Sequence, residues 1–363
     1  MKPNRILYLV PHRYDRSPGQ RFRCEHFIPH LKEAGYQITY SNALSEWDDH
    51  YFYKRGKYFI KLFIALKVFF KRLFLILRVR KYSVVFIYRE AYMLGTIILE
   101  RLVKFLKVPV IFDFDDSIWL NDTSQGNANL QWMKRPAKTA DICKLADRVI
   151  VGNEYLADYA KQYNKNVFTI PTTIDINYHQ AQETLRNIDK KHITVGWTGS
   201  NSTLKYLRVL ENVLITLKEK YGDKIRYMII ADIPPTTANP KLLLEFFKWD
   251  KEHEIAQLSE IDIGIMPLSD DKWTRGKCGF KGLQYMSLSI PTVMSPVGVN
   301  TTIIQHGENG LLASTEQEWT DCISLLIENK QIRTQLGSKG RKTVEKYYSV
   351  ETYKKEYISL FKF

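Results

Sequence analysis

The chain is poor in cysteine: Cys24, Cys143, Cys278 and Cys322 lie far apart among 363 residues. Isolated thiols make neither a disulfide framework nor a zinc-ligand spacing, which fits a reducing cytosol. Long apolar runs are missing as well. The first, Ile6-Leu-Tyr-Leu-Val10, is too short for a signal peptide and reads as the first strand of a domain. Residues 51–80 are rich in apolar side chains, but charges interrupt them every few positions, so no stretch of about 18–20 residues is able to span a bilayer. Acidic residues are absent from one whole segment: Tyr51 to Tyr82 holds ten Lys and Arg side chains and no Asp or Glu. No recognised nucleic-acid module accompanies this charge, so no nucleic-acid partner is expected.

What is present suits two domains of ordinary size. A hydrophobic content of 45% is enough for two cores, and the formal net charge is +14. The basic block interleaves with Phe59, Phe63, Phe70, Phe74 and their neighbours. That pairing of Lys and aromatics predicts an interfacial amphipathic helix on an anionic membrane surface. The plain alternative is a crossover helix packed on a sheet with its basic face in water.

In chain order, Ile6–Val10 predicts a buried strand followed by a loop with His12, Arg13 and Arg16. A helix over Gln20 to Ala34 stops at Gly35. Arg21 and Arg23 fall in its first turn, where positive charge opposes the dipole, so they make sense as binders of an anion or acceptor. Tyr36–Tyr40 and Ser83–Tyr88 are strands, and a helix is expected from Tyr92 to Phe105. Val108 to Asp116 is a strand running into Asp113, Asp115 and Asp116, at the edge where open α/β sheets bind ligands. Clustered carboxylates raise one another's pKa, which suits a group that takes a proton, and Asp115 and Asp116 are the favoured candidates. A hard cation on the cluster is the other chemical reading. Ser124–Asn129 reads as a flexible polar loop able to close over an acceptor. Thr172 to Lys191 is polar and aperiodic, and reads as an interdomain linker.

The second half restarts with a strand at His192–Gly196, then Trp197-Thr-Gly-Ser-Asn201 and a helix from Thr203 to Lys220. Gly199, Ser200 and Asn201 form a loop able to bring backbone N–H groups to a diphosphate. Glu252–Leu258 is a helix. The centre of the chain is Ile261 to Asn300. There a buried strand, a polar loop with Asp270, Asp271, Arg275, Gly276 and Lys277, a helix from Phe280 to Leu288 and a strand at Ile290–Ser295 spell a βαβ unit. Lys277 and Lys281 stand beside the helix start, which itself favours an anion. Arg341 to Phe363 is a helix with a break near Ser349.

Phe280-Lys-Gly-Leu-Gln-Tyr-Met-Ser-Leu-Ser-Ile-Pro291 resembles the donor-site signature of the retaining glycosyltransferase family 4 group. Gly307-Glu-Asn-Gly310-Leu-Leu resembles the turn that follows it, and Glu316–Trp319 the helix start beyond. The resemblance covers most of residues 190–345 and the N-terminal half more loosely. It implies an α/β GT-B fold of two doubly wound Rossmann-like domains. Residues 1–180 would bind the acceptor, residues 190–345 the nucleotide sugar, and residues 346–363 would return to the first domain. The first loop, with Arg21 and Arg23, would face the acceptor. The implied activity is retaining transfer of a sugar to a lipid-linked or polysaccharide acceptor at the cytoplasmic membrane face. The nucleotide sugar is a substrate, no cofactor is implied, and no metal is required. Lys281 and Lys277 would neutralise the leaving diphosphate and Asp115 or Asp116 would orient or deprotonate the acceptor hydroxyl. Two positions depart from the pattern. Gln284 stands where an acid commonly holds the ribose, and Gly276 where many members carry a Glu facing the sugar; Asp270 or Asp271 is then the candidate substitute. These departures keep open a degenerate GT-B protein that binds a nucleotide or scaffolds a membrane complex without catalysis.

Overall fold

The computed structural model describes residues 4–120, 125–180, 191–236, 239 and 242–363. The chain divides into two units, one of Met1–Thr173 with Tyr353–Phe363 and one of Ile174–Thr352. Residues 181–190 of the expected linker and Ser124 of the expected acceptor loop lie outside the described residues. The rest of that loop, with the residues after it, is a 3-10 helix, Gln125–Met133.

The first unit is built on six parallel strands: β1 (Arg5–Val10), β2 (Gln37–Asn42), β3 (Val84–Tyr88), β4 (Val110–Phe114), β5 (Arg148–Val151) and β6 (Val167–Thr169). Their order is β2-β1-β3-β4-β5-β6. Ile6–Val10, Val84–Ile87 and Val110–Phe112 are fully buried, as continuous apolar strands covered on both faces must be. Because strand order reverses beside β1, the carboxyl ends of β1 and β3 flank a switch point where such sheets bind ligands.

The second unit repeats the plan. Its strands are β7 (Ile193–Thr198), β8 (Ile225–Ala231), β9 (Leu244–Lys248), β10 (Ile263–Met266), β11 (Thr292–Met294) and β12 (Leu311–Leu312), all parallel. The order β12-β11-β10-β7-β8-β9 puts the switch point between β7 and β10. Edge strand β9 was not expected from the sequence; three of its five residues are exposed.

Several elements depart from expectation for physical reasons. The helix expected over Gln20–Ala34 is three pieces: Pro18–Arg23, a 3-10 turn Glu25–Phe27, and Ile28–Glu33. Pro29 has no N–H to return to the preceding turn, so one continuous helix is not available. Arg21 and Arg23 therefore occupy a last turn, where positive charge agrees with the dipole. The C-terminal helix ends at Tyr347 and resumes at Val350. Between them the backbone pairs with Ile174, whose N–H donates to Tyr348 O at 2.8 Å and whose O accepts from Val350 N at 3.0 Å. Beyond it, Tyr357 stacks on Phe27 with ring centres 4.0 Å apart, and Arg148 donates to the carbonyls of Leu360 and Lys362.

The basic block forms one 20-residue helix, Tyr58–Leu77, but not a basic face. Lys61 donates to Asn127 at 2.6 Å, Lys67 pairs with Asp48, and Lys71 donates to Asn42 O at 2.7 Å. Arg72 is fully buried and donates to Val10 O at 2.7 Å. The carbonyls at the ends of β1 and β2, with the buried Asp48, supply acceptors that water would otherwise replace. Both expectations for this segment put its basic face in solvent, and that part is corrected for Lys61 and Arg72, which are buried. Among the described residues no helix is long and apolar enough to cross a membrane.

Candidate functional site

In the first unit the carboxyl ends of β3 and β4 carry the titratable cluster. Register sets Tyr88 beside Asp113. Arg89 follows at φ +63°, and its N–H donates to Asp113 O at 2.8 Å. That left-handed turn sends the Arg89 guanidinium to Asp115 Oδ1, at 3.0 Å from Nε and 2.8 Å from Nη2, and on to Asp116 Oδ2. Tyr88 adds an O–H donated to Asp115 Oδ1 at 2.8 Å. Gly19 permits this packing, because a Cβ there would lie 2.9 Å from Tyr88 Oη and 3.1 Å from Asp115 Oδ2.

Electrostatics divides the three carboxyls. Burial alone would raise Asp115, but Arg89 and then Arg23, with hydrogen bonds from Arg89 and Tyr88, hold it below the usual carboxylate range. The mutual raising expected of Asp115 is therefore corrected: a guanidinium sits between it and Asp116. Asp113 is the raised one, pushed up to about 6 by burial against the pull of Arg23. His12, after β1, is pushed down to about 4, first by burial and also by Arg16, Arg89 and Arg13, while Asp49 opposes. Its imidazole is neutral at ordinary pH.

Arg23 is not open to an acceptor. It is 2% exposed, its Nε and Nη2 lie 3.2 and 2.8 Å from the Asp113 oxygens, and its Nη1 donates to Ile170 O. Arg21 is equally buried, its guanidinium 4.6 Å from the Phe22 ring centre. Short helices and Pro29 turn both side chains inward, which correct the reading of them as surface anion binders. Among the described residues no group of three or more His, Cys, Asp or Glu side chains is placed to hold a metal ion.

In the second unit Lys277 and Lys281, of the expected donor residues, reach the β7 side of the β7–β10 switch point. The loop after β10 is held by Asp271, which accepts from the N–H groups of Trp273 and Thr274, both at 2.9 Å, and from Ser269 Oγ at 3.0 Å. Asp270 is half exposed and pairs bidentately with Arg275 at 2.6 and 3.0 Å. Neither acid stands as a substitute at Gly276: one closes a turn and the other is taken by a neighbouring guanidinium. Gly279 then opens the helix Phe280–Ser287 at φ +67° with no side-chain cap on the helix N–H groups. A Cβ on Gly279 would come within 2.1 Å of Ile303 Cδ1.

This helix leans on the sheet through glycines. A Cβ on Gly282 would strike Met294, and one on Gly264 would strike Tyr285. Tyr285 reaches under β7, where its Oη accepts from Thr198 N at 2.7 Å. The packing carries Lys281 to 5.5 Å from the Trp197 ring centre. Lys277 lies 5.9 Å from the Tyr206 ring and 5.8 Å from the Trp273 ring. Two lysines from the β10 side thus meet aromatics that follow and end β7.

Two expected contacts are internal instead. The N–H groups of Gly199, Ser200 and Asn201 donate to Ile230 O, Thr203 Oγ1 and Asp232 Oδ1, at 3.0, 3.0 and 2.6 Å. The loop thus satisfies its own amides and offers its side chains. Gln284 is 2% exposed and gives its amide to Glu254 Oε1 at 3.2 Å. Glu254 also accepts from Trp249 Nε1 and Tyr178 Oη, each at 3.2 Å. Gln284 faces inward because its helix buries Gly282 through Ser287. Sequence reasoning missed Arg89, His12 and Glu254. Only the Arg following a strand end, in Tyr88-Arg89, carried a local signal.

Residues 192–329 match the family model described as Glycosyl transferases group 1. No curated protein matches the chain significantly. Solved structures share its fold. A sucrose-phosphate synthase from Thermosynechococcus elongatus superposes with a TM-score of 0.71 at 14% identity over 98% of both chains. A glycosyltransferase from Rickettsia africae gives 0.66 at 12% identity, over 98% of this chain and 97% of that one. Anabaena Alr3699/HepE, solved in complex with UDP-glucose, gives 0.64 at 13% identity over 98% of both. At these identities the likeness is one of fold: two Rossmann-like units of the α/β GT-B class.

Proposed function

We propose that the chain is a retaining glycosyltransferase moving a sugar from a nucleotide-sugar donor to a lipid-linked or polysaccharide acceptor at the cytoplasmic membrane face. The observation that carries the reading is the meeting of Lys277 and Lys281 with Trp197 and Tyr206 at the β7–β10 switch point. The group 1 family match over residues 192–329 supports sugar transfer, and UDP-glucose in the Anabaena relative supports a nucleotide-sugar donor. In this reading the two lysines, with the uncapped helix start at Gly279, stabilise negative charge growing on the leaving diphosphate. They supply that charge compensation without a metal. Aromatic rings under the ammonium groups hold them in place and keep water from one side.

Acceptor activation falls to Asp115 and Asp116. With Arg89 holding Asp115 as a firm carboxylate, the pair orients an acceptor hydroxyl more readily than it removes the proton. A second reading, a nucleotide-binding protein without transfer, is favoured by Gly276 and by Gln284's engagement with Glu254. A thermal-shift panel of UDP, GDP, ADP and their sugars tests binding. A ligand at roughly 100 times its dissociation constant stabilises by about 2.7 kcal/mol. Turnover with added acceptor, and NMR of the product's anomeric configuration, then separate retaining transfer from binding alone.

A further inference from the structure

We propose that the outward face of the helix Tyr58–Leu77 is a docking surface for an anionic lipid leaflet, on which the helix lies flat. The inference rests on the reading above only for the lipid-linked acceptor that such docking would present.

The exposed side of this helix is apolar. Phe59 is 89% exposed and Phe74 67%, and between and beyond them Phe63, Leu66, Phe70 and Leu77 are each about half exposed or more. At 3.6 residues per turn, these six side chains fall within an arc of about 80° and run for about 27 Å along the axis. Ile64, Val68, Arg72 and Ile76 occupy the opposite, buried side. Soluble monomers rarely leave so long a contiguous apolar stripe in water. The roll of the helix is fixed from the inside: Lys61, Lys71 and Arg72 are tied to Asn127, Asn42 O and Val10 O, and Lys67 to Asp48. Those ties keep the stripe facing out.

Charge selects the occupant. Lys54, Arg55 and Lys57 are exposed just before the helix, and Arg78, Arg80 and Lys81 just after it. No acid lies between Tyr51 and Tyr82. A second copy packed on the stripe, parallel or antiparallel, would set cationic ends against cationic ends. An anionic leaflet answers both parts. The aromatic centre enters the boundary between headgroups and acyl chains to about 5–10 Å, and the cations at each end meet lipid phosphates.

The test is sedimentation of the full chain with vesicles of mixed phosphatidylglycerol and phosphatidylcholine, and with phosphatidylcholine alone. The protein is expected to sediment with the anionic vesicles only. The triple variant Phe63→Ser, Phe70→Ser, Phe74→Ser, all at exposed positions, should lose roughly tenfold or more in partitioning with an unchanged melting curve. A second variant, Lys54→Gln, Lys57→Gln, Arg80→Gln, Lys81→Gln, should bind less and lose most of its salt dependence. Sedimentation of both variants like the parent overturns the proposal. So does failure of the parent to bind, or a dimer in solution that the triple variant dissolves, which would make a second copy the occupant. Nucleotide-sugar hydrolysis without vesicles is read alongside. Hydrolysis without vesicle binding sinks the docking surface alone, whereas vesicle binding without hydrolysis sinks the enzymatic reading alone.

Discussion

Lys281 rests 5.5 Å from the centre of the Trp197 ring, joining the helix after β10 to the end of β7 across the point where strand order reverses. The contact depends on residues with no charge of their own. Gly282 and Gly264 let the helix close on the sheet, and Tyr285 hydrogen-bonds Thr198 beneath the pair. A cation held over an aromatic ring beside an uncapped helix start is a place where a diphosphate is welcome.

Changing Gly279 to Ala tests that arrangement from the backbone. The left-handed φ of +67° and the close approach of Ile303 both oppose a Cβ. The variant should lose about 1–3 kcal/mol of stability, the usual range for overpacking, by urea denaturation. Donor binding should weaken as the helix start shifts. Unchanged stability would show that the helix entry is more pliant than the geometry implies.

The Arg23–Asp113 pair is a structural element. Arg23→Leu leaves a buried carboxylate uncompensated, and breaking such a pair typically costs about 3–5 kcal/mol. A loss below about 1 kcal/mol, with acceptor affinity reduced instead, would return Arg23 to the binding role its sequence position first implied.

His12 gives a pH prediction with a definite sign. Its folded pKa of about 4 lies below the unfolded value of about 6.5. The unfolded chain therefore takes the proton first, and stability is lost as pH falls from about 6.5 towards 4. Histidine NMR titration should place the midpoint near 4, and His12→Gln should flatten that part of the stability profile. A midpoint near 6.5 would mean the ring is neither desolvated nor opposed by its arginines.

Gln284 distinguishes an internal role from a ribose contact. Gln284→Glu would set a second carboxylate against Glu254, now 3.2 Å from the Gln284 amide. The variant should be less stable than the parent at neutral pH and recover in mild acid, as one carboxyl of the pair accepts a proton. Equal stability at neutral pH with tighter nucleotide binding would instead favour the ribose contact.

The two parallel sheets were legible because buried parallel strands read as short, mostly apolar runs, as at Ile6–Val10 and Ile261–Met266. The βαβ centre was legible too, since strand, polar loop, helix and strand follow one another within Ile261–Asn300, with Lys277 and Lys281 beside the helix start. Side-chain direction was not. Ten cations in Tyr51–Tyr82 look like a solvent face until Asp48, Asn127 and the Val10 carbonyl are seen to hold three of them, Lys67, Lys61 and Arg72. Arg89 was missed although it follows a strand end, because its role needs a left-handed turn and the register of β3 on β4. Gln284 was misread because the face it shares is set by glycine contacts elsewhere on its helix. Edge strand β9 was missed because Leu244-Glu-Phe-Phe-Lys248 neither alternates strictly nor runs continuously apolar.

The central claim is that the lysine-lined switch point of the second unit carries sugar transfer, and Lys281→Ala tests it most directly. Turnover of a sugar nucleotide should fall by about 10²–10³, the scale seen when one group stabilising developing charge is removed. The melting curve should stay close to the parent's, because Lys281 is only part-buried. Turnover in the variant equal to the parent's, with the nucleotide sugar that the parent uses, would contradict the account.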